Sequence, residues 1–159
     1  MARESKSVEE SSTVICRLMM PSDANPNGNV YGGSILKSMD EVAGIVASRH
    51  ARRNVVTASI NRMDFFNPVH VGDLLVLKAS VNFVGQTSME VGVRIESEDL
   101  RTGKVAHIGS SYFTFVALDG EGKPTVVPDI ILRTEDEKRR YRDGAARREA
   151  RLRLLKRSS

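Results

Sequence analysis

The chain has 159 residues, 40% of them hydrophobic and 28% charged, with a single cysteine; that is enough for one domain with a real core and excludes an intrachain disulfide framework. The formal charge of +4 is unevenly placed: from Ile131 to Ser159 there are 11 Lys/Arg against 5 Asp/Glu, a net of +6, which leaves −2 for residues 1–130. A mildly acidic fold with a basic tail argues against nucleic-acid binding by the fold itself, and 5% aromatic residues argue against a base-stacking platform.

The N-terminus, MARESKSVEESSTV, is polar and mixed in charge. It has no apolar stretch of the secretory kind, and residues 1–11 are expected to be disordered. No run approaches the roughly 18 apolar residues that a membrane helix needs. Together with the single cysteine this points to the cytoplasm. Residues 12–20, STVICRLMM, are β-prone and read as a first strand, with Cys16 as a core residue. Pro21 and the Ser/Asp/Asn/Gly cluster through Asn29 form a loop.

A helix is predicted from about Gly33 to Arg49. At 100° per residue, Ile35, Leu36, Met39, Val42, Ala43, Val46 and Ala47 share one arc of about 140°. Four strand-like runs follow at 54–65, 73–84, 88–97 and 104–119. In the third, Met89, Val91, Val93 and Ile95 alternate with Glu90, Gly92, Arg94 and Glu96. The fourth is apolar on both faces, as a central strand would be. Short connectors with Gly or Pro suit antiparallel neighbours.

One helix and one sheet must bury each other's apolar faces, which gives an α+β layer. An antiparallel sheet of about five strands wrapped around one central helix is a hotdog arrangement. The domain spans 12–130, and one helix covers only part of such a sheet, so at least a dimer is expected. Residues 131–159 form a basic helical tail with i, i+4 pairs such as Glu135–Arg139. Its low apolar content and Gly144 favour a solvated or frayed extension, with packing on a neighbouring subunit or contact with RNA or acidic membrane as the alternatives.

The stretch DANPNGNVYGGSILKSMDEVAG, Asp23 to Gly44, carries the chemistry. Gly32 and Gly33 stand where the loop enters the helix. Its first N–H groups have no internal acceptor and lie at the positive end of the dipole, a place to hold a carbonyl oxygen that becomes negative during reaction. The same glycines would also permit a tight loop and close packing. Asp40 lies at the edge of the apolar arc beside Leu36, Ala43, Gly44 and Ala47. A carboxylate there needs a partner or a task, whether a neighbouring subunit, a loop amide or a reaction. Asn25 precedes Pro26, so its backbone is biased to an extended shape; its amide can form the turn, orient a water or bond a carbonyl.

MMPSDANPNGNVYGGSILKSMDEVAGIVASRH followed by VVTASINRMDFFNPVHVGD resembles the hotdog-fold acyl-CoA thioesterases, both the bacterial enzymes and the cytosolic acyl-CoA hydrolases of animals. The likeness covers roughly residues 12–128 and rests on the N-x3-N-x2-GG-x6-D spacing, the MDEVAG helix and the F-x-P-x-x-x-GD turn. It implies catalytic roles for Asp40 and Asn25. In two-domain members those two residues are split between domains, so a chain bearing both is expected to build its sites between two copies, as a homodimer or a trimer of dimers (a hexamer). The thioester carbonyl would rest on the Gly33 N–H with Asn25 nearby. Asp40 of the other copy would act as general base on water, or as a nucleophile giving an anhydride. Coenzyme A is then part of substrate and product, and no separate cofactor is implied.

Coenzyme A carries phosphates, so local positive charge is expected from Arg62, Arg94, Arg101 or Lys104. Further candidates are Gly32 and the VGQTS turn, with amides at Gly85 and Gln86 and hydroxyls at Thr87 and Ser88. Phe66, Asn67 and Pro68 are candidates to flank the pantetheine arm. His50, His70 and His107 fall on separate elements without metal-site spacing. HIGSSYF misses the G-x-S-x-G elbow of serine hydrolases, and no P-loop or Rossmann fingerprint occurs. The remaining alternative is a hotdog module that binds acyl-CoA without hydrolysing it, as a regulator.

Overall fold

The structure, a computed structural model, describes residues 2–159. The elements in chain order are β1 (Ser5–Ser7), β2 (Thr13–Leu18), a 3-10 turn (Pro21–Asp23), α1 (Gly32–Ala51), β3 (Asn54–Ile60), β4 (Leu74–Val84), β5 (Ser88–Glu98), β6 (Val105–Leu118), β7 (Asp129–Ile131) and α2 (Glu135–Ser158). Five strands form one antiparallel sheet in the order β2-β4-β5-β6-β3. It curls around α1, which is the predicted α+β hotdog layer.

The helix buries Ile35, Met39, Val42, Ala43, Val46 and Ala47, while Leu36 is only partly buried. They meet Leu75, Leu77, Ala79 and Val81 of β4, Met89, Val91, Val93 and Ile95 of β5, and Phe113, Phe115 and Ala117 of β6 in one core. Arg52, left-handed at φ 52°, ends α1 with its N–H on Ser48 O. The strand expected over 54–65 leaves the sheet after Ile60. Residues 61–66 still run alongside β6, with Asn61 N on Tyr112 O and Phe66 N on Ile108 O, both at 2.9 Å, and they press on Gly109, where an added Cβ would lie 2.5 Å from Asp64 O.

Three expectations are corrected. The N-terminal segment is ordered where disorder was predicted: β1 pairs in parallel with β7, and Ser7, Val8 and Ser11 are buried. Its anchors come from distant chain, Lys6 Nζ to His50 O at 2.8 Å and Arg3 Nε to Val127 O at 2.7 Å. Cys16 is exposed, because β2 is an edge strand whose Val14 and Cys16 turn away from α1. The tail is not a frayed extension. Thr134 caps α2, its Oγ1 accepting from Glu137 N at 3.1 Å while Glu137 Oε2 accepts from Thr134 N at 3.3 Å. The helix then lies on the convex face of the sheet. Gly144 is the crossing point: a Cβ there would stand 2.9 Å from Phe83 Cβ, so only glycine allows this approach. Tyr141 packs on Phe83, ring centroids 4.9 Å apart. Glu90, an outward position of β5, is buried beneath Arg147.

His50, fully buried at the end of α1, ties the helix to the β7 segment: its Nε2 lies 2.8 Å from Pro128 O. A carbonyl only accepts, so Nε2 carries the proton, and Nδ1 is left without a partner. Burial pushes the imidazole below its ordinary value of 6.5, against the opposing bond to Pro128. A depressed folded value means that stability is fully present while both states are neutral. It falls once pH drops below 6.5, where the unfolded chain binds a proton the folded chain refuses, and the fall ends at the folded value. Melting curves from about pH 8 to about pH 5 should show this slope. His50→Gln, which takes up no proton, is expected to be less stable at high pH and to flatten it; an unchanged slope would remove His50 as the cause.

Candidate functional site

The loop before α1 is built around Asn25. Its Oδ1 accepts from Asn27 N at 2.9 Å and Asn29 N at 3.3 Å, and its backbone N donates to Asn29 O at 2.8 Å. Gly28, at φ +85°, lets the chain reverse. The carboxamide oxygen is therefore committed to the turn, and the Nδ2 donor remains for an outside acceptor. Asp23, which the sequence did not single out, seats this loop: it accepts from Met20 N at 2.9 Å through Oδ2, pairs with Arg17 at 3.4 Å, and its carbonyl takes Tyr31 N at 2.9 Å. Val30 N to Val69 O, 2.8 Å, fixes the loop to the segment before β4.

Tyr31 occupies the N-cap position of α1 and supplies no side-chain cap. The first helical amides, at Gly32 and Gly33, face outward at the positive end of the dipole. The two glycines differ in surroundings. A Cβ on Gly32 would sit 3.3 Å from Phe65 Cζ, whereas nothing lies within 4 Å of one on Gly33. Gly32 serves packing, and Gly33 leaves space beside its N–H.

Asp40 is half-buried, and its Oδ1 accepts from Thr57 Oγ1 at 2.8 Å. Thr57 is a second residue the sequence did not single out. The available signal was the β-branched run at the start of β3, whose alternate side chains must turn toward the helix. Asp40 opens onto a concavity of about 520 Å³ that Gly44, Ile45, Val55, Thr57 and Phe115 help to line. Glu41 is exposed. The carboxylate thus has Oδ1 held by a hydroxyl and stands at the wall of a partly apolar hollow, an arrangement that can take a proton from water or attack a carbonyl carbon.

Gly33 and Asp40 do not meet within one chain. Seven residues separate them, about 10.5 Å along the axis at 1.5 Å per residue, on nearly the same side of the helix. A base must stand within about 3 Å of its proton. Beside Asp40, β3 hydrogen-bonds only β6 and leaves its other edge open, with Val56 and Ile60 each 43% exposed.

The candidate substrate-binding residues divide into groups. Near the start of α1, Phe66 is 65% exposed and leans on His107, ring centroids 5.5 Å apart. Asn67 Nδ2 donates to His107 O at 2.9 Å, Pro68 follows it, and exposed Arg62 pairs with Asp64 at 2.8 Å. Exposed Arg101 and Lys104 sit in the β5–β6 turn, at the same end of the sheet. Gly85, Gln86, Thr87 and Ser88 lie at the other end, about 33 Å away along the ten residue steps of β4. Much of that turn's backbone is already bonded: Gly85 N to Ser88 O, Ala117 N to Thr87 O and Val127 N to Gln86 O. Arg94 pairs with Glu96 at 3.2 Å and faces the groove beneath α2, on the side of the sheet away from α1. Among the described residues no cluster of His, Cys, Asp and Glu could hold a metal ion, and no helix is long and apolar enough to cross a membrane.

Comparison with known proteins points the same way. The model of the Thioesterase superfamily matches residues 27–104. The cytosolic acyl coenzyme A thioester hydrolase of Rattus norvegicus is 38% identical over 146 residues, covering 91% of this chain and 38% of that longer protein. The crystal structure of an apo-hexameric acyl-CoA thioesterase superposes with a TM-score of 0.91 at 43% identity, over 96% of this chain and 97% of that one. An acyl-CoA hydrolase from Staphylococcus aureus, in complex with butyryl coenzyme A, coenzyme A and coenzyme A disulfide, matches with a TM-score of 0.87 at 39% identity, over 97% and 96% of the two chains.

Proposed function

The chain belongs to the thioesterase superfamily, among its hotdog acyl-CoA thioester hydrolases, and from that premise we propose that it hydrolyses acyl-CoA at a site shared by two copies, with Asp40 of one copy facing Gly33 and Asn25 of the other. The observation that carries this reading is the position of Asp40: held by Thr57 at 2.8 Å, open to a hollow beside an unpaired sheet edge, and about 10.5 Å along the helix from its own chain's Gly33 amide.

In the hydrolysis, a water oxygen attacks the thioester carbon while the Asp40 carboxylate takes its proton. The carbonyl oxygen becomes an oxyanion beside the Gly33 N–H and Asn25 Nδ2. Collapse breaks the C–S bond, and the thiolate of coenzyme A leaves with the proton returned from Asp40. In the covalent variant an Asp40 oxygen makes the attack, the thiolate leaves, and water opens the resulting anhydride. Both routes end in free acid and coenzyme A. Phe66, Asn67 and Pro68 flank the pantetheine arm, with Arg62 and Gly32 near the same helix end. Gly85, Gln86, Thr87, Ser88 and Arg94 reach this site only from a different subunit. A homodimer satisfies the geometry, and the hexameric relative supports a trimer of dimers. The cytosolic relative supports a cytoplasmic location.

Thiol release measured across acyl-CoAs of graded chain length tests the function. Turnover with a preferred length is expected; saturable acyl-CoA binding with no thiol released would make the protein a binding module instead.

A further inference from the structure

The tip of α2 carries a surface that the catalytic reading does not use. The helix steps across the sheet one strand at a time. Tyr141 and Gly144 lie on Phe83 of β4, Arg147 bonds Glu90 of β5, and Arg151 bonds Thr114 of β6. The next strand in the sheet is β3, which is its edge. Continued along that path, residues 152–158, all of them exposed, point toward β3. At 1.5 Å per residue they extend about 10.5 Å past Arg151, and strands lie about 4.8 Å apart, so a straight continuation across the strands reaches about one strand beyond the open edge.

That overhang is apolar on its inner side. With the direction of Gly144 taken as facing the sheet, Leu155 lies within about 20° of it, and Leu152 and Leu154 about 80° to either side. Arg153, Lys156 and Arg157 occupy the outer side. The three leucines are 37%, 63% and 58% exposed, and Val56 on the edge strand below is 43% exposed. Apolar side chains aimed at the seam of an open sheet edge are what a second sheet, continued across that edge, would cover.

We propose that the α2 tip is an intersubunit clasp: in an assembly of two copies paired along β3, Leu152, Leu154 and Leu155 of each copy pack over the seam against the same leucines of the other. The occupant is a second copy of this chain because the leucines are continuous with the open β3 edge, and because the overhang matches the position of one added strand. The inference rests on the reading that the Asp40 site needs two copies, and it adds a device that holds them. The basic outer side stays in water, where Arg153 pairs with Glu149.

The test is Leu154→Asp combined with Leu155→Asp, studied by sedimentation across a dilution series together with thiol release per subunit. Neither residue touches the site. The variant is expected to dissociate at concentrations about 100-fold or more higher than the wild type, since two buried leucines are replaced by charges. Its activity should fall with dissociation and return on concentration. A chain ending at Arg151, which keeps the Glu90 and Thr114 contacts, should behave alike and serves if the aspartates disturb folding. Assembly as strong as wild type in either variant overturns the clasp. So does loss of binding to phosphatidylglycerol vesicles with assembly unchanged, which would make the tip a membrane contact. A wild type that releases no thiol would sink the hydrolase reading while sedimentation still decides the clasp.

Discussion

Asp40→Asn is expected to fold normally, to bind acyl-CoA and to lose about 10²- to 10⁴-fold in kcat, the typical contribution of a positioned base. The substitution is nearly isosteric, and its carboxamide oxygen still accepts from Thr57 Oγ1, which lies 2.8 Å from Asp40 Oδ1. What it removes is the basic carboxylate at the wall of the hollow. KM should move little, because the site's share of binding lies with the loop and the glycine end of α1 rather than with the carboxylate. The covalent route predicts an equal or larger loss, since an amide is a poor nucleophile. The two routes separate in a single turnover in ¹⁸O-water: label enters Asp40 only if an anhydride forms and is opened at the aspartyl carbon. Turnover near the wild-type value in Asp40→Asn would remove the residue from the mechanism. Mixing Asp40→Asn with Gly33→Pro, which deletes the N–H of the other half-site, adds a sharper check. Sites shared between copies should regain part of the activity in mixed assemblies, because one of their two sites is then intact; sites within one chain should not.

The frame of the fold was legible because two periodicities are strong. The 3.6-residue apolar spacing of α1 and the two-residue alternation of β5 name the faces that meet in the core. The candidate catalytic segment was legible for a similar reason: glycines at a helix start and a carboxylate at the rim of its buried arc are local features. Contacts made by distant chain were not legible. β1 has three residues and no pattern of its own, and it is ordered by pairing with β7 more than a hundred residues later. Glu90 reads as a solvent position of β5, and only the arrival of Arg147 makes it a buried one. Gly144 reads as a weak point in a helix. It is the residue that lets that helix lie against Phe83. Thr57 follows the same rule, since its bond to Asp40 depends on how β3 passes α1.

Glu90→Ala should be the most damaging change outside the core, costing about 3–5 kcal/mol, the usual loss when one member of a buried ion pair is removed. The Glu90 carboxylate accepts from Arg147 Nη2 at 2.7 Å and Nε at 3.1 Å and from Asn82 Nδ2 at 3.2 Å. The two charged side chains keep only 8% and 25% of their exposure. Removing the carboxylate leaves a guanidinium between the sheet and α2 with only the ring of Tyr112, 3.5 Å from its carbon, and the more distant charge of Asp143 in its favour. A desolvated cation–π contact returns about 2 kcal/mol, less than the lost pair. The helix is then expected to loosen from its middle outward, which would show as early cleavage near Gly144 by protease and as a lower urea midpoint. Glu90→Gln keeps acceptors for Arg147 and Asn82 and should lose less. Replacing both partners together, Glu90→Leu with Arg147→Met, removes the uncompensated charge and should recover most of the stability. A Glu90→Ala protein within about 0.5 kcal/mol of wild type, the range of ordinary surface changes, would mean that α2 is not held to the sheet by this pair. The same variant bears on the clasp, because a helix released at Arg147 no longer carries its leucine tip across the β3 edge. Its assembly should then weaken although every leucine is still present.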